Sequence, residues 1–226
     1  MKKQTIFLFI FFGLFLSLSA QQPIRIACVG NSITEGAQAS DRINKGYVGV
    51  FRDMMGKKDY DIRNFGVSGA TACRNTYKPY DKCDLFAEAK AFLPDIVTIA
   101  LGTNDSQPRV WNTGDFAKNF GTDLIYLCEE FEKLSSKPKI YLCFPIPIMP
   151  NDRWEHQPAV LANEIIPKIK KIAEERGYEI IDLHTPLLGR ADDCYPDNDK
   201  LHPNDLGHLL IAAQFYNKFS SFNTEK

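Results

Sequence analysis

A chain of 226 residues with 44% hydrophobic, 24% charged and 12% aromatic side chains can bury most of its apolar surface in an ordinary core. This excludes a disordered chain, a repeat array and a collagen-like fibre. Lys+Arg 27 against Asp+Glu 28 leaves a formal net charge of -1, and the charges are scattered rather than blocked, so no nucleic-acid partner is expected. Six cysteines, none at C-x-x-C spacing, are too few for a disulfide scaffold at this length and point away from a zinc site.

Lys2 and Lys3 precede an apolar run from Ile6 to Leu18 that ends in Ser19 and Ala20, before the polar pair Gln21 and Gln22. This pattern reads as a signal peptide over residues 1–20, cut near Ala20; its 13 residues fall short of a bilayer span. The remainder, 21–226, is expected to be one domain working outside the cytoplasm, periplasmic or secreted, with no membrane association after cleavage. Disulfides can form there. Cys73 and Cys83, flanking a loop-like stretch, are the expected pair. Cys28 and Cys143 lie in strand-like runs and Cys128 in a helical pattern, so these read as buried free thiols.

Short β-branched or apolar runs at 24–29, 60–65, 96–101, 139–144 and 179–183 read as strands. Each is followed by helical periodicity, at 47–55, 85–92, 116–134, 160–176 and 205–219. Five strands alternating with five helices predict an α/β fold: a three-layer sandwich on a five-stranded parallel sheet with right-handed crossovers. Pro167 conflicts with the fourth helix. Either the helix kinks there, or its regular part begins there with Pro167 in the first turn.

In such a sheet a ligand site lies beyond the carboxyl ends of the strands. Gly30-Asn31-Ser32 follows the first strand, Gly66-Val67-Ser68-Gly69 the second and Gly102-Thr103-Asn104-Asp105 the third; Asp199-Lys200-Leu201-His202-Pro203 precedes the last helix. A serine attacks nothing until a base removes its proton, and only four histidines can supply one. His208 falls inside the last helix and His184 at a strand exit, both positions of structural histidines. His156, beside Trp154, reads as a solvated loop residue within reach of substrate. His202 has an acid three residues before it, so Asp199 can hold one ring nitrogen while the other faces Ser32. Acyl transfer also needs donors where the oxyanion forms. The backbone N–H groups of Ser32 and Gly69 and the side-chain amide of Asn104 are the candidates.

Taken together, these four segments resemble the sequence blocks of the SGNH (GDSL-like) hydrolases, in the family's order and over nearly the whole of 21–226. The resemblance implies a flavodoxin-like SGNH hydrolase fold and a serine esterase without metal or organic cofactor. It assigns Ser32 as nucleophile, His202 and Asp199 as base and acid, and Ser32, Gly69 and Asn104 as the oxyanion hole. Asn31 departs from the family pattern, which has Asp beside the nucleophile. No Gly-x-Ser-x-Gly elbow argues for the α/β-hydrolase alternative. More narrowly, residues 64–71, 101–106 and 138–142 are similar to the sialate O-acetylesterase-like branch, which implies removal of acetyl groups from sugars. Trp111 and Trp154, in loops after the third and fourth strands, are expected either to stack on a sugar ring or to pack within their own loops. Alternatives of other kinds stay open: a lysophospholipase or thioesterase with the same catalytic residues, and a catalytically silent carbohydrate-binding protein.

Overall fold

The computed structural model describes residues 22–151 and 153–220; the expected signal segment 1–20 lies outside the described residues. Strands β1 (Ile24–Gly30), β2 (Tyr60–Gly66), β3 (Ile96–Ala100), β4 (Lys139–Phe144) and β5 (Glu179–Asp182) form one parallel sheet in the order β2-β1-β3-β4-β5. The chain leaves β1 toward β2 on one side and returns to β3 on the other. The order therefore reverses at β1, and a crevice opens between the ends of β1 and β3. Register makes these ends level, since Gly30 pairs with both Gly66 and Ala100.

Strand alternation divides the core into two layers. Ile26 and Cys28 of β1 pack with Tyr141 and Cys143 of β4 against the helices Tyr47–Met55 and Asp205–Phe219. Ala27 and Val29 pack with Val97 and Ile99 of β3 against Asp84–Ala91, Phe116–Glu132 and Ile166–Arg176. Rings pin the first layer, with Phe215 stacked 5.0 Å from Tyr47 and Tyr141 edge-on to Phe219 at 5.0 Å. A sheet covered on both faces explains why its strands read as continuous apolar runs.

Element ends moved where local chemistry intervened. β3 stops at Ala100 because Gly102 takes φ 114°, a left-handed conformation that breaks the strand. The Pro167 conflict is resolved by a π turn at Leu161–Ile165, after which regular helix runs Ile166–Arg176 with Pro167 in its first turn. Proline's missing N–H costs least there.

The expected Cys73–Cys83 disulfide is not formed. Cys73 is fully buried, its thiol 3.4 Å from the Phe116 carbonyl, whereas the Cys83 thiol lies 3.5 Å from the Pro79 carbonyl at the start of another helix. Cys28, Cys128 and Cys143 are buried free thiols, and burial pushes the Cys28 thiol up to about 12. Among the described residues no helix is long and apolar enough to cross a membrane.

Candidate active site

Gly30 brings β1 so close to the following helical turn that an added Cβ would lie 2.0 Å from Thr34 Oγ1. Asn31, 1% exposed and in an extended conformation, then caps the turn Ser32–Glu35 by accepting the Ile33 N–H at 2.9 Å on Oδ1. The capping acceptor is an amide oxygen where the resembling family has a carboxylate, and the turn forms equally well with it. Ser32 is the first residue of that turn. Its N–H points out of the helix start and has no protein acceptor among the described residues.

Ser32 Oγ lies 2.9 Å from His202 Nε2, and His202 Nδ1 lies 2.9 Å from Asp199 Oδ2, in a cluster where no member exceeds 8% exposure. A carboxylate at Nδ1 places the ring proton there and leaves the Nε2 lone pair facing the serine. Asp199 is richly bonded. Its Oδ1 accepts the N–H groups of Leu201 and His202 at 3.1 Å and the Trp154 indole N–H at 2.9 Å; its Oδ2 also accepts the Gln38 amide at 3.0 Å. Burial alone would raise the carboxyl pKa, but the His202 ring, the Gln38 amide and the His202 N–H outweigh it and hold Asp199 well below the usual carboxylate range.

The second and third segments are fastened to the first by side chains. Gly66 lets the end of β2 lie against the serine turn, an added Cβ falling 2.3 Å from Glu35 N. Asn64 Nδ2 donates to the Thr34 carbonyl at 2.6 Å, and Ser68 N–H donates to Glu35 Oε2 at 2.9 Å. Gly69 then adopts φ 79°, and its N–H likewise has no protein acceptor among the described residues. Asn104 Nδ2 spends one N–H on the Ala70 carbonyl at 2.9 Å, which leaves its second available. Asp105, fully buried, accepts the N–H groups of Ala72 and Cys73 at 3.0 and 2.8 Å; burial raises its pKa despite them.

The remaining candidates fall elsewhere. His208 accepts the Tyr47 N–H on Nδ1 and meets the Ala37 carbonyl with Nε2, a buried structural ring. His184 Nδ1 holds the Pro145 carbonyl at 2.9 Å. His156 is not a solvated loop residue. It is 8% exposed, with Nε2 3.2 Å from Asn104 Oδ1 and 2.9 Å from Gln107 Nε2. Trp111 offers no platform to a sugar, being 6% exposed, edge-on to Phe120 and bonded through its indole N–H to Glu164. Trp154 is half-buried and directs its N–H at Asp199. Gln38 and the network around His156 carry no sequence signal, because their partners lie about fifty or more residues away. Beside the Gly69 turn, an open groove of about 790 Å³ is lined by charged side chains, Glu35, Lys78, Lys82 and Asp84, together with apolar ones such as Val67 and Leu85.

Comparison with known proteins adds three findings. An acetylxylan esterase of Xylanibacter ruminicola is 35% identical over 206 residues; the match takes in 85% of this chain and 42% of that one, so the chain spans less than half of the relative's length. A carbohydrate acetylesterase family member from Sinorhizobium meliloti superposes with TM-score 0.68 at 16% identity, over 88% of this chain and 98% of its own. An acetyl xylan esterase structure superposes with TM-score 0.66 at 21% identity, over 87% of this chain and 100% of its own. Both structural likenesses establish the fold. Residues 28–210, from within β1 into the helix after His202, match the GDSL-like Lipase/Acylhydrolase family, and the chain belongs to that family.

Proposed function

We propose that this protein is a serine carboxylic ester hydrolase that removes small acyl groups, acetyl above all, from carbohydrates. The observation that carries the reading is the continuous relay from Ser32 Oγ through His202 to Asp199, each link at 2.9 Å; among the described residues the Ser32 and Gly69 N–H groups have no protein acceptor. His202 Nε2 takes the Ser32 hydroxyl proton as Oγ attacks the ester carbonyl carbon. The carbonyl electron pair moves onto oxygen, which the N–H groups of Ser32 and Gly69 and the free Asn104 N–H hold. Collapse breaks the bond to the alcohol oxygen, which leaves with the proton from His202. Water then repeats the sequence on the acyl-serine, releasing acetate and restoring the hydroxyl.

Two features support a sugar alcohol as leaving group. The groove beside Gly69 mixes charged side chains, Glu35, Lys78, Lys82 and Asp84, with the apolar Val67, Pro79 and Leu85, and its charged groups can bond sugar hydroxyls. The Xylanibacter ruminicola relative is an acetylxylan esterase. Export through the first 20 residues would bring the enzyme to such polymers, and N-terminal sequencing of the exported form checks it.

Purified protein is expected to hydrolyse p-nitrophenyl acetate faster than the octanoate and to release acetate from acetylated xylan. Ser32→Ala should lower turnover by about six orders of magnitude, since the nucleophile has no substitute. Retained activity in that variant would sink the mechanism. Equal or better turnover of the octanoate would move the substrate to lipid or thioester, and absence of labelling of Ser32 by a covalent serine probe would indicate a binding protein.

A further inference from the structure

Building on the esterase reading, we infer that Trp154 is a positioning residue for the Asp199–His202 pair rather than a platform for sugar. The indole N–H donates to Asp199 Oδ1 at 2.9 Å, on the carboxylate oxygen opposite the one that holds the His202 ring. The same ring meets the His202 imidazole edge to face, 5.4 Å between centroids and 84° between planes. One side chain thus bonds to the acid and walls the base, which fixes the angle between them.

The loop that carries Trp154 is itself tied to the acid's segment. Met149 N–H donates to the Lys200 carbonyl at 3.0 Å, and Arg153 reaches the Asn198 carbonyl at 3.3 Å. Asn151 Oδ1 receives the N–H groups of Arg153 and Trp154 at 3.1 and 2.7 Å, which sets the turn that aims the indole. Arg153 covers the indole, its guanidinium carbon 4.9 Å from the ring centroid, and so occupies a surface that a stacking sugar would need. A bond to a charged carboxylate in a site of low exposure is strong, and it holds Asp199 against rotation as the imidazolium forms. Withdrawing it concentrates negative charge toward His202 Nδ1.

The test compares Trp154→Phe, which keeps a ring without the donor, with Trp154→Gln, which offers a donor without the ring. For Trp154→Phe, kcat should fall about tenfold on p-nitrophenyl acetate and on acetylated xylan alike, as for loss of one bond to a charged group, with KM little changed. The acidic limb of its kcat/KM profile should move to higher pH, the His202 Nδ1–H resonance should shift by NMR, and Trp154→Gln should recover part of kcat. A rise in KM confined to xylan would overturn the inference in favour of a sugar platform. Equal losses in both variants with no movement of limb or resonance would also overturn it, leaving only packing. Wild-type protein inactive on both esters would instead defeat the esterase reading, while the NMR comparison would still report on the Trp154 bond.

Discussion

His156 shows how a residue of unremarkable sequence context becomes a determinant of stability. Burial first, then the neighbouring charges of His202 and Arg109, lower its pKa from 6.5 to about 4, so the folded ring stays neutral. Between those two values the unfolded chain binds a proton that the folded ring refuses. Stability from this group is therefore complete above pH 6.5 and lost as pH falls toward 4, by up to about 3 kcal/mol. Urea unfolding at pH 7 and pH 4.5 should show a larger loss for wild type than for His156→Gln; equal losses would assign the acid sensitivity to other groups. The same ring lies against Asn104 Oδ1, so the orientation of that amide depends on a neighbour 52 positions away.

At the scale of elements, the helix Asp205–Phe219 links the candidate site to the core. Asn204 caps it, Oδ1 accepting the N–H groups of Leu206 and Gly207 at 3.0 and 3.1 Å, only two residues after His202. Asn204→Ala should cost about 1 kcal/mol, read as a lower urea midpoint with an unchanged slope. A neutral result would mean that the first turn is held by packing alone, Gly207 being so close to Pro203 that an added Cβ would lie 2.5 Å from its ring. The strands and this helix were legible because their apolar periodicity is local. The π turn at Leu161–Ile165 was not, since a single wider turn changes no pattern over the window in which periodicity is read.

For the whole molecule, stability rests on two packed layers around the sheet and not on covalent cross-links. All six cysteines are free. Thermal melting of the purified protein should accordingly be unchanged by dithiothreitol, whereas a fall of more than a few degrees would restore a disulfide. The expected Cys73–Cys83 bridge failed for a tertiary reason. The bonds from Asp105 to the Ala72 and Cys73 amides draw Cys73 toward the helix Phe116–Glu132, while Cys83 remains at the head of Asp84–Ala91.

The sequence by itself determined the alternation of strands and helices, hence the parallel sheet, and the places along the chain where Ser32, Gly69, Asn104, Asp199 and His202 stand. These are matters of local pattern and of order relative to strand ends. Only the tertiary structure decided what touches what: that Ser32 meets His202 across 170 positions, that Trp154 serves Asp199 while Trp111 serves the core, and that Cys73 and Cys83 stay apart. Such contacts depend on how loops from different strands are folded over one crevice, and bonds with angstrom tolerances between distant segments leave no periodic trace in the chain.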